Sequence, residues 1–196
     1  MNADSSAKAE NSVRDARASD AADLARIQVS RWQSGYPGLV PDGVLAELTS
    51  AEAEERWREH WAGSLVSPPS GRHRVLAAIA AEPDGTRLVT GFAAFGPATD
   101  PDRWPGTDAE LYVLCVEPGH RGRGHGSRLL NAAVAALAED GFGTVRTWVL
   151  AADSTAQAFL QSAGWAPDGT RSHLDMGTAV AMIRLHTAIS PDPDAG

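Results

Sequence analysis

Hydrophobic residues fall into short runs and helical stripes that are separated by turn residues. Runs with the length and composition of β-strands occupy six stretches: 13–16, 75–80, 88–95, 109–116, 145–150 and 180–185. The second and third runs flank the turn signal Pro83-Asp84-Gly85, so they predict an antiparallel hairpin. A loop rich in Pro, Gly and Asp, residues 96–107, then leads to the next strand.

Helical spacing of apolar residues predicts helices between the strands. The stripes lie at 24–32, 44–61, 129–137 and 156–163. Ser19 and Asp20 are N-cap candidates for the first helix, which Tyr36-Pro37-Gly38 ends. Asp153 is an N-cap candidate for the last helix, and Gly164 stands where a left-handed residue ends it.

The order of these elements predicts a single α/β domain. A three-strand meander precedes a strand–helix–strand–helix–strand pattern, which implies a mixed sheet with helices packed on it. A chain of 196 residues fits one domain, and 43% hydrophobic with 21% charged residues excludes a disordered polypeptide. We expect the domain at residues 12–189, a disordered N-terminal tail at 1–11 and a C-terminal tail at 190–196.

Charge and cysteine content exclude several function classes. A net charge of −8 argues against general nucleic-acid binding, because the surface repels phosphate backbones. Cys115 is the one cysteine, which excludes an internal disulfide and a cysteine-cluster zinc site and fits a reducing compartment. We find no signal peptide and no uninterrupted apolar run of about 18 residues, so we expect a cytoplasmic protein without a metal or a membrane anchor.

A glycine-rich turn between the strand at 109–116 and the following helix carries the strongest chemical signal. Gly122, Gly124 and Gly126 alternate with other residues next to Arg121 and Arg123. Glycines let the backbone approach a ligand, and amides at a helix N-terminus bind phosphate oxygens. The spacing fits neither a Walker loop nor a dinucleotide fingerprint. A plain strand-to-helix turn is a weaker interpretation, because one glycine would suffice for it.

Three segments resemble the GCN5-related N-acetyltransferase (GNAT) family. Arg121-Gly122-Arg123-Gly124-His125-Gly126 matches that family's Arg/Gln-x-x-Gly-x-Gly/Ala signature. Residues 110–118 look like its fourth strand, and residues 153–165 resemble its Asn-x-x-Ala-x-x-Phe-Tyr-x-x-x-Gly-Phe segment. The resemblance implies the GNAT fold: a twisted, mostly antiparallel sheet with a central splayed pair of parallel strands, flanked by helices.

The resemblance also implies a site for acetyl-coenzyme A. Backbone groups of Leu114 and Val116 would bind the pantetheine arm between the splayed strands. Asp153 stands where the family usually has Asn, and its contact with the pantetheine or a role as a plain helix N-cap are both open. The other residues expected at the cofactor are Cys115, Arg121, Gly122, Arg123, Gly124, His125, Gly126, Ser127 and Phe159.

The acceptor amine needs a base, since an alkyl ammonium is protonated at pH 7. Glu110 is our candidate for the catalytic base, although it could be a solvated residue at a strand start. His173 and Asp175 are weaker candidates before the last strand, where an exposed loop is the alternative. Trp32 and Tyr36 are candidates for binding the acceptor, although most large aromatic residues belong to a core.

The resemblance implies N-acetyl transfer to a small-molecule or peptide amine by direct attack in a ternary complex. Cys115 is expected to be an apolar strand residue and not a nucleophile. Leu160 replaces a family tyrosine that can protonate the leaving thiolate, so a catalytically silent acyl-coenzyme A sensor is an alternative function. Transfer of a longer acyl group is a further alternative, and a homodimer is compatible with the resemblance.

Overall fold

The computed structural model describes residues 11–82 and 84–189. Both predicted tails therefore lie almost wholly outside the described residues, and so does Pro83 of the predicted turn. The strands are β1 (Ser12–Asp15), β2 (Arg74–Ala81), β3 (Arg87–Pro97), β4 (Asp108–Val116), β5 (Thr144–Leu150), β6 (Ala166–Asp175) and β7 (Ala179–Ala188). The helices are α1 (Ala21–Gly35), α2 (Asp42–Leu48), α3 (Ala51–Val66), α4 (His125–Glu139) and α5 (Ser154–Ser162). In this part of the chain, no helix combines the length and the apolar character needed to cross a membrane.

The strands form one sheet in the order β1-β2-β3-β4-β5-β7-β6. β4 and β5 pair in parallel, and the other neighbouring strands pair antiparallel. The parallel pairing runs only from Asp108 opposite Thr144 to Glu110 opposite Arg146. Beyond this point the two strands diverge. The predicted mixed sheet with a central splayed parallel pair is confirmed.

Helices cover both faces of the sheet. On one face, Leu129 and Leu137 of α4 pack with Phe95 of β3 in the larger core cluster. On the other face, Leu24 of α1 and Trp61 of α3 pack in a second cluster on the opposite side of the same strands. The sheet is thus fixed from both sides around β3 and β4.

The predicted antiparallel hairpin is confirmed as β2 and β3, but two other details were wrong. The single helical region at 44–61 is two helices, α2 and α3, with Thr49 and Ser50 between them. Ser50 caps α3 by accepting a hydrogen bond from the Ala53 amide at 3.1 Å. Asp20 does precede α1, but its carboxylate accepts the Arg17 amide instead of capping that helix.

β6 was not predicted from the sequence. Its segment contains Pro167 and Gly169 and lacks an apolar alternation, since most of its side chains are exposed. His173 and Asp175 therefore lie on a strand paired with β7, and not on the loop that we considered for them. Both side chains are exposed.

A buried arginine ties the loop between β3 and β4 to the β6–β7 edge. The Arg184 side chain is 1% exposed, and its Nε donates to Asp168 at 2.7 Å. Its Nη1 donates to Asp100 at 2.7 Å and to Asp102 at 2.8 Å. The hydrogen bonds from Arg184 lower the pKa of Asp102 to about 2. The loop is therefore held by charge-assisted hydrogen bonds from one cation.

Substitution Arg184→Met should destabilise the fold by about 3 kcal/mol at pH 7, because it leaves the largely buried Asp100 and Asp168 carboxylates without their cation. The loss of unfolding free energy should be complete above pH 4 and should become smaller as the pH falls towards 2, because protonated carboxyl groups need no cation. Urea unfolding at several pH values measures this free energy. Arg58→Met is the matched control, since Arg58 pairs with Glu55 on the surface of α3. Equal stability of the two variants would contradict the role of Arg184.

Candidate active site

The divergence of β4 and β5 opens a wedge-shaped cavity through the sheet. Its volume is about 370 Å³, and both strands line it. At the point where the backbone pairing ends, the Thr147 hydroxyl donates to the Leu111 carbonyl at 2.8 Å. That hydrogen bond satisfies a buried carbonyl where the ladder between the strands stops. We call this space the wedge cavity.

A second cavity, of about 650 Å³, adjoins the wedge and contains the glycine-rich loop. Gly122 and Gly124 have φ values of 73° and 80°, which side-chain-bearing residues rarely adopt. Gly124 is the N-cap of α4, and no side chain caps this helix. The amides of the first helical turn have no acceptor within the helix, so they are available to an anion in this loop cavity.

Arg121 adds positive charge to the loop cavity. It comes from the loop, and its Nη2 donates to the Ser34 hydroxyl at 3.0 Å. Arg31, from α1, also lines this cavity, and its charge is paired with Asp153 at 2.8 Å. Partial burial and the nearby Arg31 charge lower the pKa of Arg121. A bound anion would stabilise the Arg121 charge.

His125 is a polar side chain without a partner in the same cavity. It is 1% exposed, and neither ring nitrogen has a hydrogen-bond partner among the described residues. Burial, with the nearby charges of Arg128 and Arg123, lowers the pKa of His125, so the ring is neutral at pH 7. A neutral imidazole has one N–H to donate, and a buried donor without an acceptor is unfavourable. The ring is packed inside the protein, so His125 contributes to the loop cavity through its place in the first turn of α4.

Most of the predicted cofactor residues lie around the loop cavity. Its lining includes Leu114, Val116, Arg121, Gly122, Gly124, His125, Gly126, Ser127, Asp153 and Phe159. Arg123 does not line it, and its carbonyl accepts a hydrogen bond from Arg128 at 3.1 Å. Cys115 lines the wedge cavity instead, and burial raises its pKa to about 12. Among the described residues, no group of three or more His, Cys, Asp or Glu could hold a metal ion.

Asp153 is a helix N-cap. One carboxylate oxygen accepts the Ala156 amide at 2.9 Å, as the N-cap interpretation predicts. The other accepts a hydrogen bond from Arg31 at 2.8 Å, which the sequence did not indicate. The side chains of Arg31 and Asp153 are 17% and 8% exposed, and both residues line both cavities. The ion pair thus joins α1 to α5 where the two cavities meet.

Glu110 is the last residue of β4 that pairs with β5. Its carboxylate accepts hydrogen bonds from the Thr99 amide at 3.1 Å and the Thr99 hydroxyl at 2.6 Å. Glu110 is not among the residues that line the two cavities. Burial, and then the nearby Glu110 charge, raise the pKa of Tyr112 to about 12. Tyr112 lines the wedge cavity.

Trp32 and Tyr36, the candidates for binding the acceptor, both line the wedge cavity. Their rings stack at a centroid distance of 6.3 Å, and burial raises the pKa of Tyr36. Sequence reasoning did not assign Arg31 or Met176 to the site. Met176 precedes β7 in a turn that follows the unpredicted strand β6, so no sequence signal placed it here.

Comparisons with known proteins identify related sequences and folds. The model of the Acetyltransferase (GNAT) family matches residues 36–165. The uncharacterized N-acetyltransferase YuaI of Bacillus subtilis is 28% identical over 138 residues, 70% of each chain. PaiA N-acetyltransferase of Thermoplasma acidophilum, solved with coenzyme A, has a TM-score of 0.67 at 18% identity, over 91% of this chain and 99% of that one. YncA of Salmonella typhimurium, solved with acetyl-CoA, has a TM-score of 0.63 at 18% identity, over 95% and 99%.

The thiol of Cys115 should resist modification in the native protein at pH 8. Its pKa of about 12 and its burial leave almost no accessible thiolate. We expect essentially no reaction with a chromogenic disulfide reagent in the folded state, and one equivalent per chain after unfolding in guanidinium. Rapid and complete modification of the folded protein would contradict this description and would reopen a nucleophilic role.

Proposed function

Because this chain belongs to the GNAT acetyltransferase family, we propose that residues 12–189 form one domain that transfers an acetyl group from acetyl-coenzyme A to a primary amine. The observation that carries this proposal is that two adjoining cavities share part of their lining. One has uncapped backbone amides and Arg121 at a helix N-terminus, and the other lies between diverging strands. The complexes of PaiA with coenzyme A and of YncA with acetyl-CoA support the choice of cofactor.

In this proposal the loop cavity binds the phosphates. Backbone amides of Gly122–Ser127 donate to the phosphate oxygens. Arg121 supplies a positive charge there, and Arg123 adds charge at the rim. These donors suit a diphosphate because they combine oriented dipoles with cations in a chain of net charge −8.

The wedge would hold the pantetheine arm. Backbone groups of Leu114 and Val116 face a strand that has moved away, so they are free to pair with an extended ligand. Cys115 and Phe159 would contact the arm through apolar surface, and Asp153 would fix the helix start beside it. When bound, acetyl-coenzyme A supplies an activated acetyl thioester.

Glu110 is the proposed base. Deprotonating an alkyl ammonium at pH 7 costs about 4–5 kcal/mol, which a carboxylate near the acceptor can offset by taking the proton. Thr99 orients the Glu110 carboxylate with two hydrogen bonds. Since this carboxylate lies outside the cavity lining, we propose that the proton reaches it through water. The raised pKa of Cys115 favours direct attack by the amine in a ternary complex over an acyl-enzyme.

A catalytically silent acyl-coenzyme A binder is the second candidate function. Leu160, at the family's tyrosine position, is 5% exposed and packs in the core. This candidate predicts tight binding of acetyl-coenzyme A without turnover on a broad amine panel. Comparing acetyl with longer acyl-coenzyme A substrates in the same thiol-release assay tests whether a longer acyl group is transferred.

Substitution Gly124→Ala should weaken coenzyme A binding at least tenfold. Alanine in this left-handed conformation is strained by about 1–2 kcal/mol, so the loop would relax and its amides would lose their orientation. Isothermal titration calorimetry with coenzyme A measures the affinity. Gly85→Ala is the matched control, because Gly85 has a φ of 86° in the β2–β3 turn. Equal losses in the two variants would contradict the role of the loop.

Substitution Glu110→Gln should lower kcat about 100-fold or more at pH 7 and leave acetyl-coenzyme A affinity unchanged. The defect should shrink as the pH approaches the pKa of the acceptor amine, because the free amine then needs no base. A pH profile of thiol release measures this. Glu139→Gln, at the exposed end of α4, is the control. Unchanged turnover in Glu110→Gln would remove the proposed base.

A further inference from the structure

The wedge cavity continues into an aromatic wall on the α1 side of the sheet. Trp57 of α3 meets Trp32 of α1 edge to face, with ring centroids 5.4 Å apart. Tyr36 stacks on the other side of Trp32. Met176 and Met182, from the β6–β7 hairpin, also line this cavity. These five side chains form a wall of flat and flexible apolar groups, which we call the aromatic wall.

The charged side chains that line the wedge cavity pair with each other. Among the described residues that line it, the charged side chains are Arg31 and Asp153, and these two pair with each other at 2.8 Å. Burial raises the pKa values of Tyr36, Tyr112 and Cys115, so these groups are neutral near pH 7. An ammonium group buried in the cavity therefore finds no unpaired carboxylate in its lining.

Glu110 is the proposed base, and it can serve one nitrogen. It lies at the closed end of the wedge, where the pairing of β4 with β5 ends. A second ammonium on the same molecule would have to lie against the aromatic wall. Attraction to aromatic faces offsets only part of the cost of burying an unpaired ammonium, and the guanidinium of Arg31 already lies 5.4 Å from the Tyr36 ring centre.

We infer that the acceptor is a primary amine with a single nitrogen on an apolar body. The aromatic wall takes the apolar body, and the amine points to the wedge. Polyamines and lysine-rich peptides are poor acceptors, because their further ammonium groups stay unpaired. This inference rests on the proposed acetyl transfer, whose acceptor class it specifies.

Two matched pairs of amines test the inference with the full chain and acetyl-coenzyme A. Butylamine and putrescine share a four-carbon chain but carry one and two nitrogens. Phenylethylamine and ethylamine differ by one aromatic ring. We expect kcat/KM to be at least tenfold higher for the first member of each pair. Calorimetric titration of phenylethylamine into the protein with coenzyme A gives a second readout that needs no turnover.

Two variants locate the specificity in the aromatic wall. Trp57→Ala should raise the KM for phenylethylamine at least tenfold and leave that for ethylamine within about twofold. Trp104→Ala is the matched control, since Trp104 is 73% exposed and does not line the cavity. Met176→Glu places a carboxylate in a surface turn at the cavity and should raise kcat/KM for putrescine relative to butylamine.

The outcomes separate this inference from the proposed function. Preference for putrescine over butylamine, or no calorimetric binding of phenylethylamine, would overturn the inference even if acetyl transfer occurs. Unchanged selectivity in both Trp57→Ala and Met176→Glu would also overturn it. Binding of phenylethylamine that Trp57→Ala weakens, without turnover of any amine, would support the assigned ligand class and contradict the proposed transferase activity.

Discussion

The early end of the pairing between β4 and β5 is the constraint on which the rest of the site depends. The two strands pair through Glu110 and Arg146 and then separate, while β4 stays paired with β3 as far as Val116. Backbone groups on the free side of β4 are thus left beside a cavity. Unpaired buried backbone groups are unfavourable, and an extended ligand is the partner that restores a ladder there. At Leu111, the first residue of β4 beyond this pairing, the Thr147 hydroxyl donates a hydrogen bond to the free carbonyl.

The loop cavity and the wedge cavity differ in charge. At one end, the loop around Gly124 and the start of α4 present backbone donors, and Arg121 adds positive charge in a chain whose net charge is −8. At the other end, the lining is aromatic, and its two charged residues neutralise each other. A molecule with an anionic end and an uncharged reactive end fits this gradient. Because Arg31 pairs with Asp153 where the cavities meet, α1 connects both ends.

Local signals explain which parts could be predicted from the sequence. The glycine loop, the strand before it and the Asp153 N-cap are encoded by neighbouring residues, and the structure has these elements where they were predicted. β6 carries Pro167 and an exposed, irregular pattern, so its pairing with β7 has no local signature. The Arg31–Asp153 pair joins residues 122 positions apart, and only the folded sheet brings them together. The place of Glu110 outside the cavities likewise depends on where the strands begin to diverge.

Amide hydrogen exchange of the full chain with and without coenzyme A shows whether the gap between β4 and β5 receives the ligand. We expect added protection in two separate segments, the end of β4 around Leu114–Val116 and the loop at Gly122–Ser127, with little change in the distant strand β1. Protection confined to the loop, or no protection in either segment, would contradict the idea that the gap between the strands receives the ligand as an added strand.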